Sequence, residues 1–122
     1  MLSDKKEFLY AETTYKLNGL LFSVHNELGM FAREKQYADL FEAKLKEYGI
    51  SYKRELRIGD SGNILDFLID DLIIIELKSK PFLLREDYFQ TQRYLDSLNL
   101  RLGILVNFRT KYLQPKRILR KL

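Results

Sequence analysis

Three charged residues stand in the most apolar stretch of the chain, in the pattern Asp66-x9-Glu76-x-Lys78. Asp66 interrupts the apolar run 64–69, and Glu76 and Lys78 close the run that begins at 72–75, with Asp70-Asp71 between the two. Runs this short, β-branched and bounded by turn residues predict paired strands. An unpaired charge on a buried strand is costly, and a bound divalent cation offsets that cost. Carboxylates on two strands are hard oxygen donors of the kind Mg²⁺ or Mn²⁺ takes, with waters and a phosphate completing the shell. Such a cation lowers the pKa of a coordinated water and stabilises charge on a phosphate in an in-line displacement. Lys78 would orient the water or stabilise the developing negative charge. Without a cation the two acids would repel, and one would keep its proton to higher pH.

Whether the acids meet depends on the parity of the loop between the strands. A two-residue Asp70-Asp71 turn pairs Ile69 with Leu72 and puts Glu76 on the face away from Asp66, because strand side chains alternate. A three-residue loop ending at Leu72 pairs Ile69 with Ile73 and sets Asp66 opposite Glu76. Opposed Cβ atoms are then about 4.5–5.5 Å apart. Both faces of both strands are otherwise apolar, so alternation leaves the two registers open. Either way Asp66 is expected on one face with Ile64 and Leu68.

The surrounding elements must bring further groups to this hairpin. Asp4 and Glu7 have capping-box spacing, and Leu17, Leu20, Leu21, Val24 and Leu28 form an amphipathic stripe that stops at Gly29. Thr13-Thr14 is poor for a helix interior, so the first turns are expected as a separate piece. A second helix is predicted over 33–47, ended by Gly49, with Phe41, Leu45 and Tyr48 buried and Tyr37 and Leu40 beside them. Glu34 lies seven residues before Phe41, so it projects from that apolar face, where the helix N-terminus favours a carboxylate. A near-edge strand follows over 51–58, then the turn cluster Gly59-Asp60-Ser61-Gly62. After the hairpin, Pro81 ends the strand. Leu84, Tyr88, Leu95 and Leu98 mark a third helix, with Gln90 and Tyr94 as i, i+4 neighbours. Residues 102–108 read as a buried strand joined by a right-handed parallel crossover, and the tail around Pro115 as an edge strand. The order α-α-β-β-β-α-β-β predicts an α/β fold, a mixed sheet with helices against it.

With 122 residues, 46% hydrophobic and 31% charged, the chain suits one globular domain over 1–122. Its net charge of +4 is compatible with a polyanionic partner. The absence of cysteine excludes disulfides and thiolate chemistry. A charged N-terminus and no apolar run near the roughly 18 residues of a membrane span point to the cytoplasm and to no membrane partner.

Taken together, these residues resemble the core of the PD-(D/E)XK nucleases, and more narrowly the small GxxExxY proteins of that superfamily. The resemblance runs from about residue 15 to 118. It is carried by VHNELG at 24–29, Glu34-x-x-Tyr37, IIIELKS at 73–79, Gln90-x-x-x-Tyr94 and LGILVNF at 102–108. It departs at Phe31, which stands where the family has the glycine of GxxE, and at Leu65, where a proline often precedes the Asp. The resemblance implies a restriction-endonuclease-like fold. It makes Asp66 and Glu76 ligands of Mg²⁺ or Mn²⁺ with the backbone carbonyl of Ile75, and Lys78 the catalytic lysine. Glu34 would approach the metal from its helix. Gln90 and Tyr94 match the QxxxY element of RecB-like nucleases, which helps position substrate or water. His25 matches a family histidine of undefined role, and as a residue on the flank of an apolar stripe it also reads as a packing histidine.

The expected activity is hydrolysis of phosphodiester bonds in nucleic acid, DNA rather than RNA, with a homodimer suited to cutting both strands of a duplex. The competing expectation is a non-catalytic nucleic-acid-binding or protein-interaction module that keeps the fold. Lys116, Arg117, Arg120 and Lys121 in the tail read as a solvated edge that could also contact phosphates.

Overall fold

The hairpin at the centre of the chain is the middle of a five-stranded sheet. A computed structural model describes residues 10–121 as α1 (Ala11–Leu28), α2 (Glu34–Glu47), β1 (Tyr52–Ile58), β2 (Asn63–Ile69), β3 (Ile73–Lys78), α3 (Arg85–Leu98), β4 (Leu102–Asn107) and β5 (Lys116–Leu119). The strands lie in the order β1-β2-β3-β4-β5, antiparallel except for the parallel pair β3–β4 that α3 connects. Strands 1 and 5 are the edges, as expected of the charged 51–58 segment and the proline-led tail. Helices α1 and α2 pack on one face, against Phe67, Ile69, Ile73, Ile75 and Leu77. Helix α3 packs on the other, against Leu65, Leu68, Ile74 and Leu105. The chain is a small α/β domain with a mixed sheet between helices, a restriction-endonuclease-like fold.

Several sequence expectations need correction. Helix α1 runs unbroken through Thr13-Thr14, with Thr14 buried, because burial against the core outweighs a weak propensity. The Asp4–Glu7 cap lies outside the described residues. Tyr48 is exposed rather than buried, since α2 stops one residue before it. Leu84 is also exposed, as the N-cap of α3, and the buried face of that helix is Asp87, Thr91, Tyr94 and Leu95.

The α1–α2 loop carries Phe31 in place of the expected glycine and is held by Tyr37. Its phenol donates to Gly29 O at 2.5 Å and accepts from Ala32 N at 3.1 Å, and its ring stacks on Phe108 at 4.2 Å. This fixes the start of α2, reinforced by Gln36 Oε1 accepting from Arg33 N at 2.9 Å. Phe31 is turned out into solvent, so the missing glycine does not displace Glu34 from the first turn.

Candidate active site

The hairpin has the odd loop. Ile69 pairs with Ile73, Leu68 with Ile74 and Phe67 with Ile75. The same register continued by one step sets Asp66 opposite Glu76. Asp70 and Asp71 take left-handed conformations (φ 52° and 55°), which Asp tolerates better than most side chains, and Leu72 N donates to Ile69 O at 2.9 Å. Leu72 is left as the third loop residue.

At Asp66 the backbone ladder gives way to side chains. Asp66 N donates to Glu76 Oε1 at 2.9 Å, and Leu77 N donates to Asp66 Oδ2 at 2.7 Å. The facing residue on β1, Glu55, has a left-handed φ of 55° in a strand otherwise regular on both sides. Alternation slips here: Leu65 and Leu68 face α3, whereas Phe67 faces α1 and α2. Asp66 therefore does not share a plain face with Ile64 and Leu68. It lines a cleft of about 320 Å³ beside α2, with Glu34, Arg54, Glu55, Phe67 and Leu77. Glu76 is buried on the β3 face that packs against α3. The two carboxylates are coupled electrostatically across the place where the sheet parts.

Electrostatics follow from this placement. Burial pushes the Glu76 carboxyl up to about 8, and the neighbouring Asp66 charge pushes in the same direction against the pull of Lys78. Burial also raises Asp66, opposed by the Leu77 N–H, Lys78 and Arg54. Lys78 Nζ lies 3.9 Å from Glu76 Oε2. Glu34 stands at the rim, exposed as a residue, yet its carboxyl is raised by desolvation and by Asp66. On the α3 side, Tyr94 is buried, and its phenol is raised first by burial and then by Glu76 and Asp66. Both Glu34 and Tyr94 thus sense the pair, from opposite faces of the sheet.

Among the described residues no three acidic or histidine side chains gather into one metal-holding set. The pair of close donors is Asp66 and Glu76. Each has one oxygen engaged by a backbone N–H and one, Asp66 Oδ1 and Glu76 Oε2, without a hydrogen bond among the described residues. Two coupled carboxylates with raised pKa values, each with an oxygen left over, suit a hard divalent cation that keeps several of its waters. Gln90 is half-buried one turn before Tyr94 and makes no hydrogen bond to the acidic pair. His25 Nε2 donates to Thr110 O at 2.8 Å, and its ring lies 6.3 Å from that of Phe108, so it ties α1 to the segment after β4.

The sequence reading missed the residues that hold this site. Asn107 sits beside Lys78 in the parallel register. Its side chain accepts from Lys80 N at 3.1 Å and donates to Lys80 O at 2.8 Å, extending the β3–β4 ladder past the strand end. Lys80 in turn bonds Asp87 at 2.7 and 2.9 Å, and Asp87 also accepts from Leu84 N at the start of α3. Arg54 reaches Asp39 and Glu42 at 2.9 Å and lies 5.6 Å from the Phe67 ring centroid, fixing the cleft wall. A buried Asn at a strand end and a Lys–Asp pair seven apart are common enough in sequence to pass unmarked.

Neither the comparison with curated proteins nor that with solved structures gave a match. The model of the PD-(D/E)XK nuclease superfamily matches residues 11–120, which span every element from α1 to β5, and the chain belongs to that superfamily.

Proposed function

We propose that the chain is a Mg²⁺- or Mn²⁺-dependent nuclease that hydrolyses phosphodiester bonds of DNA. The observation that carries the proposal is the Asp66–Glu76 pair, drawn into one gap by reciprocal backbone N–H bonds with Lys78 3.9 Å from Glu76. Asp66 and Glu76 would hold the cation, with the carbonyl of Ile75 beside them and Glu34 at the rim. When bound, the cation would acidify a coordinated water and neutralise charge on the scissile phosphate. Lys78 orients the attacking water or stabilises the negative charge that develops on the phosphate. Glu76 must lose its proton to take part, so its raised pKa couples the site to pH. Gln90 and Tyr94, one turn apart on α3, would position the substrate or its attacking water.

The test is incubation with plasmid and single-stranded substrates in Mg²⁺, Mn²⁺ or EDTA, using wild type, Glu76→Ala and Lys78→Ala. Cleavage by wild type alone, and only with metal, is expected. Cleavage that survives EDTA or both substitutions overturns the mechanism. Inactivity of all three on every substrate supports a binding module that keeps the fold.

A further inference from the structure

Beyond the acidic gap, aromatic rings stand in solvent on three loops next to the C-terminal ends of β3 and β4. Phe31 is 80% exposed, Phe82 77% and Tyr112 72%. Ser79 Oγ donates to Ala32 O at 3.4 Å, which puts the Phe31 loop against the residue after Lys78. Asn107, the register neighbour of Lys78, also lines a groove with Phe82, Tyr88 and Tyr112. The groove therefore opens one strand away, about 4.8 Å, from the strand that carries the lysine. Exposed rings elsewhere, Tyr15 and Tyr48, line a different groove that holds none of the site residues.

The lining of the Phe82–Tyr112 groove includes Lys116 and no carboxylate. Residues 101–122 hold seven Lys or Arg and no Asp or Glu, whereas the first hundred hold 14 basic against 17 acidic residues. Lys111 sets its ammonium 5.4 Å from the Tyr112 ring centroid, and Lys116 lines the groove itself. A duplex stacks its bases on one another and presents phosphates and base edges. An unpaired strand presents phosphates and the π faces of its bases, which stack on aromatic side chains. Open rings among cations match the second.

Resting on the nuclease reading above, we propose that the strand this site takes is unpaired DNA. Its bases stack on Phe82 and Tyr112, its phosphates lie along Lys111 and Lys116, and Phe31 borders the path to the Asp66–Glu76 gap. Stacking on rings is tolerant of sequence, so binding follows strandedness rather than base identity.

The test is fluorescence anisotropy of the full chain with a labelled oligo-dT and with a duplex of equal length, in EDTA so that no strand is cut. The Phe82→Ala/Tyr112→Ala variant should bind oligo-dT about tenfold more weakly per ring removed, with its salt dependence unchanged and duplex binding altered less than about twofold. Phe82→Tyr/Tyr112→Phe, which keeps both rings, should bind within about twofold of wild type. Lys111→Gln should flatten the salt dependence on oligo-dT, by a slope of about 0.7. A double-alanine variant that binds oligo-dT as wild type does overturns the proposal, as does a wild type that prefers duplex or binds no oligo-dT. Ring-dependent binding without metal-dependent cleavage would retire the nuclease reading and leave the stacking surface standing. Cleavage indifferent to the rings would do the reverse.

Discussion

Asp66 and Glu76 are joined by a backbone N–H of one and the carboxylate of the other, at 2.9 Å, where a regular sheet would join two backbones. The Asp66 carboxylate answers by accepting from Leu77 N at 2.7 Å. Side chains thus complete a ladder that the parting strands leave open, and they do so with acids. The exchange holds two carboxylates in one small gap without cancelling their charge. That repulsion destabilises the deprotonated pair and is relieved by a proton or a cation.

Stability should therefore fall as pH rises. The Glu76 carboxyl titrates near 8 in the folded chain, above the 4.5 it has when exposed. Folded protein holds that proton across the interval and unfolded protein does not, so the contribution is complete below about pH 4.5 and gone above about pH 8. Its size is on the order of a few kcal/mol. Urea unfolding in EDTA should show wild type losing stability from pH 5 to 8.5. Glu76→Gln, which keeps an acceptor for Asp66 N, should match it at pH 5 and exceed it at pH 8.5. Wild-type stability that rises with pH in this window would show that the pair is not strained.

Divalent cations should reverse that trend. Metal binding requires the carboxylates to be deprotonated, so it releases protons and strengthens with pH. Mg²⁺ or Mn²⁺ at about 100 times its pH 8.5 Kd should stabilise the fold by about 2.7 kcal/mol at that pH, and the same concentration should give less at pH 6. Asp66→Asn/Glu76→Gln should abolish the shift in a thermal melt. A shift of equal size in that double variant would place the cation elsewhere.

The order of elements was legible because each carries its own period. The apolar stripe of α1, the apolar run of β4 and the turn residues at 59–62 each specify their structure locally. The loop parity was not legible, since β3 is apolar on both faces and either register buries it equally well. It is set by left-handed backbone at Asp70 and Asp71, which a sequence marks only as turn-prone. The slip of alternation at Asp66 was hidden for a related reason, because it follows from Glu55 on another strand. Glu34 was readable as a misplaced acid, whereas Asn107 and Lys80 were not, since their partners are made by the crossover.

Helix α3 should be sensitive to a single methyl group on the sheet beneath it. A Cβ at Gly103 would lie 2.9 Å from Thr91 Cγ2 and 3.0 Å from Ile74 Cγ1. Thr91 is fully buried, with its hydroxyl on Asp87 O at 3.0 Å, so the helix rather than the side chain must give. Gly103→Ala should cost about 1–3 kcal/mol by urea unfolding. It should also lower activity, because Tyr94 lies one turn further along the displaced helix. A neutral variant would mean that α3 has slack against β4.

The clamp on the segment after Lys78 should act on turnover and leave cation binding alone. Asn107 makes two hydrogen bonds to the Lys80 backbone and lies beside Lys78 in the sheet, whereas Asp66 and Glu76 are held by N–H groups of β3 and β2 between those two strands. Asn107→Ala leaves Lys80 N and O without these partners, at a cost of about 1–3 kcal/mol in stability. The Lys78 ammonium loses its fixed position, so kcat should fall by about tenfold or more, while the Mn²⁺ Kd by calorimetry stays within about twofold. Asn107→Asp keeps the acceptor for Lys80 N and loses the donor to Lys80 O, so it should lie between the two. Equal losses of kcat and Mn²⁺ affinity would show that Asn107 supports the whole sheet end rather than the lysine.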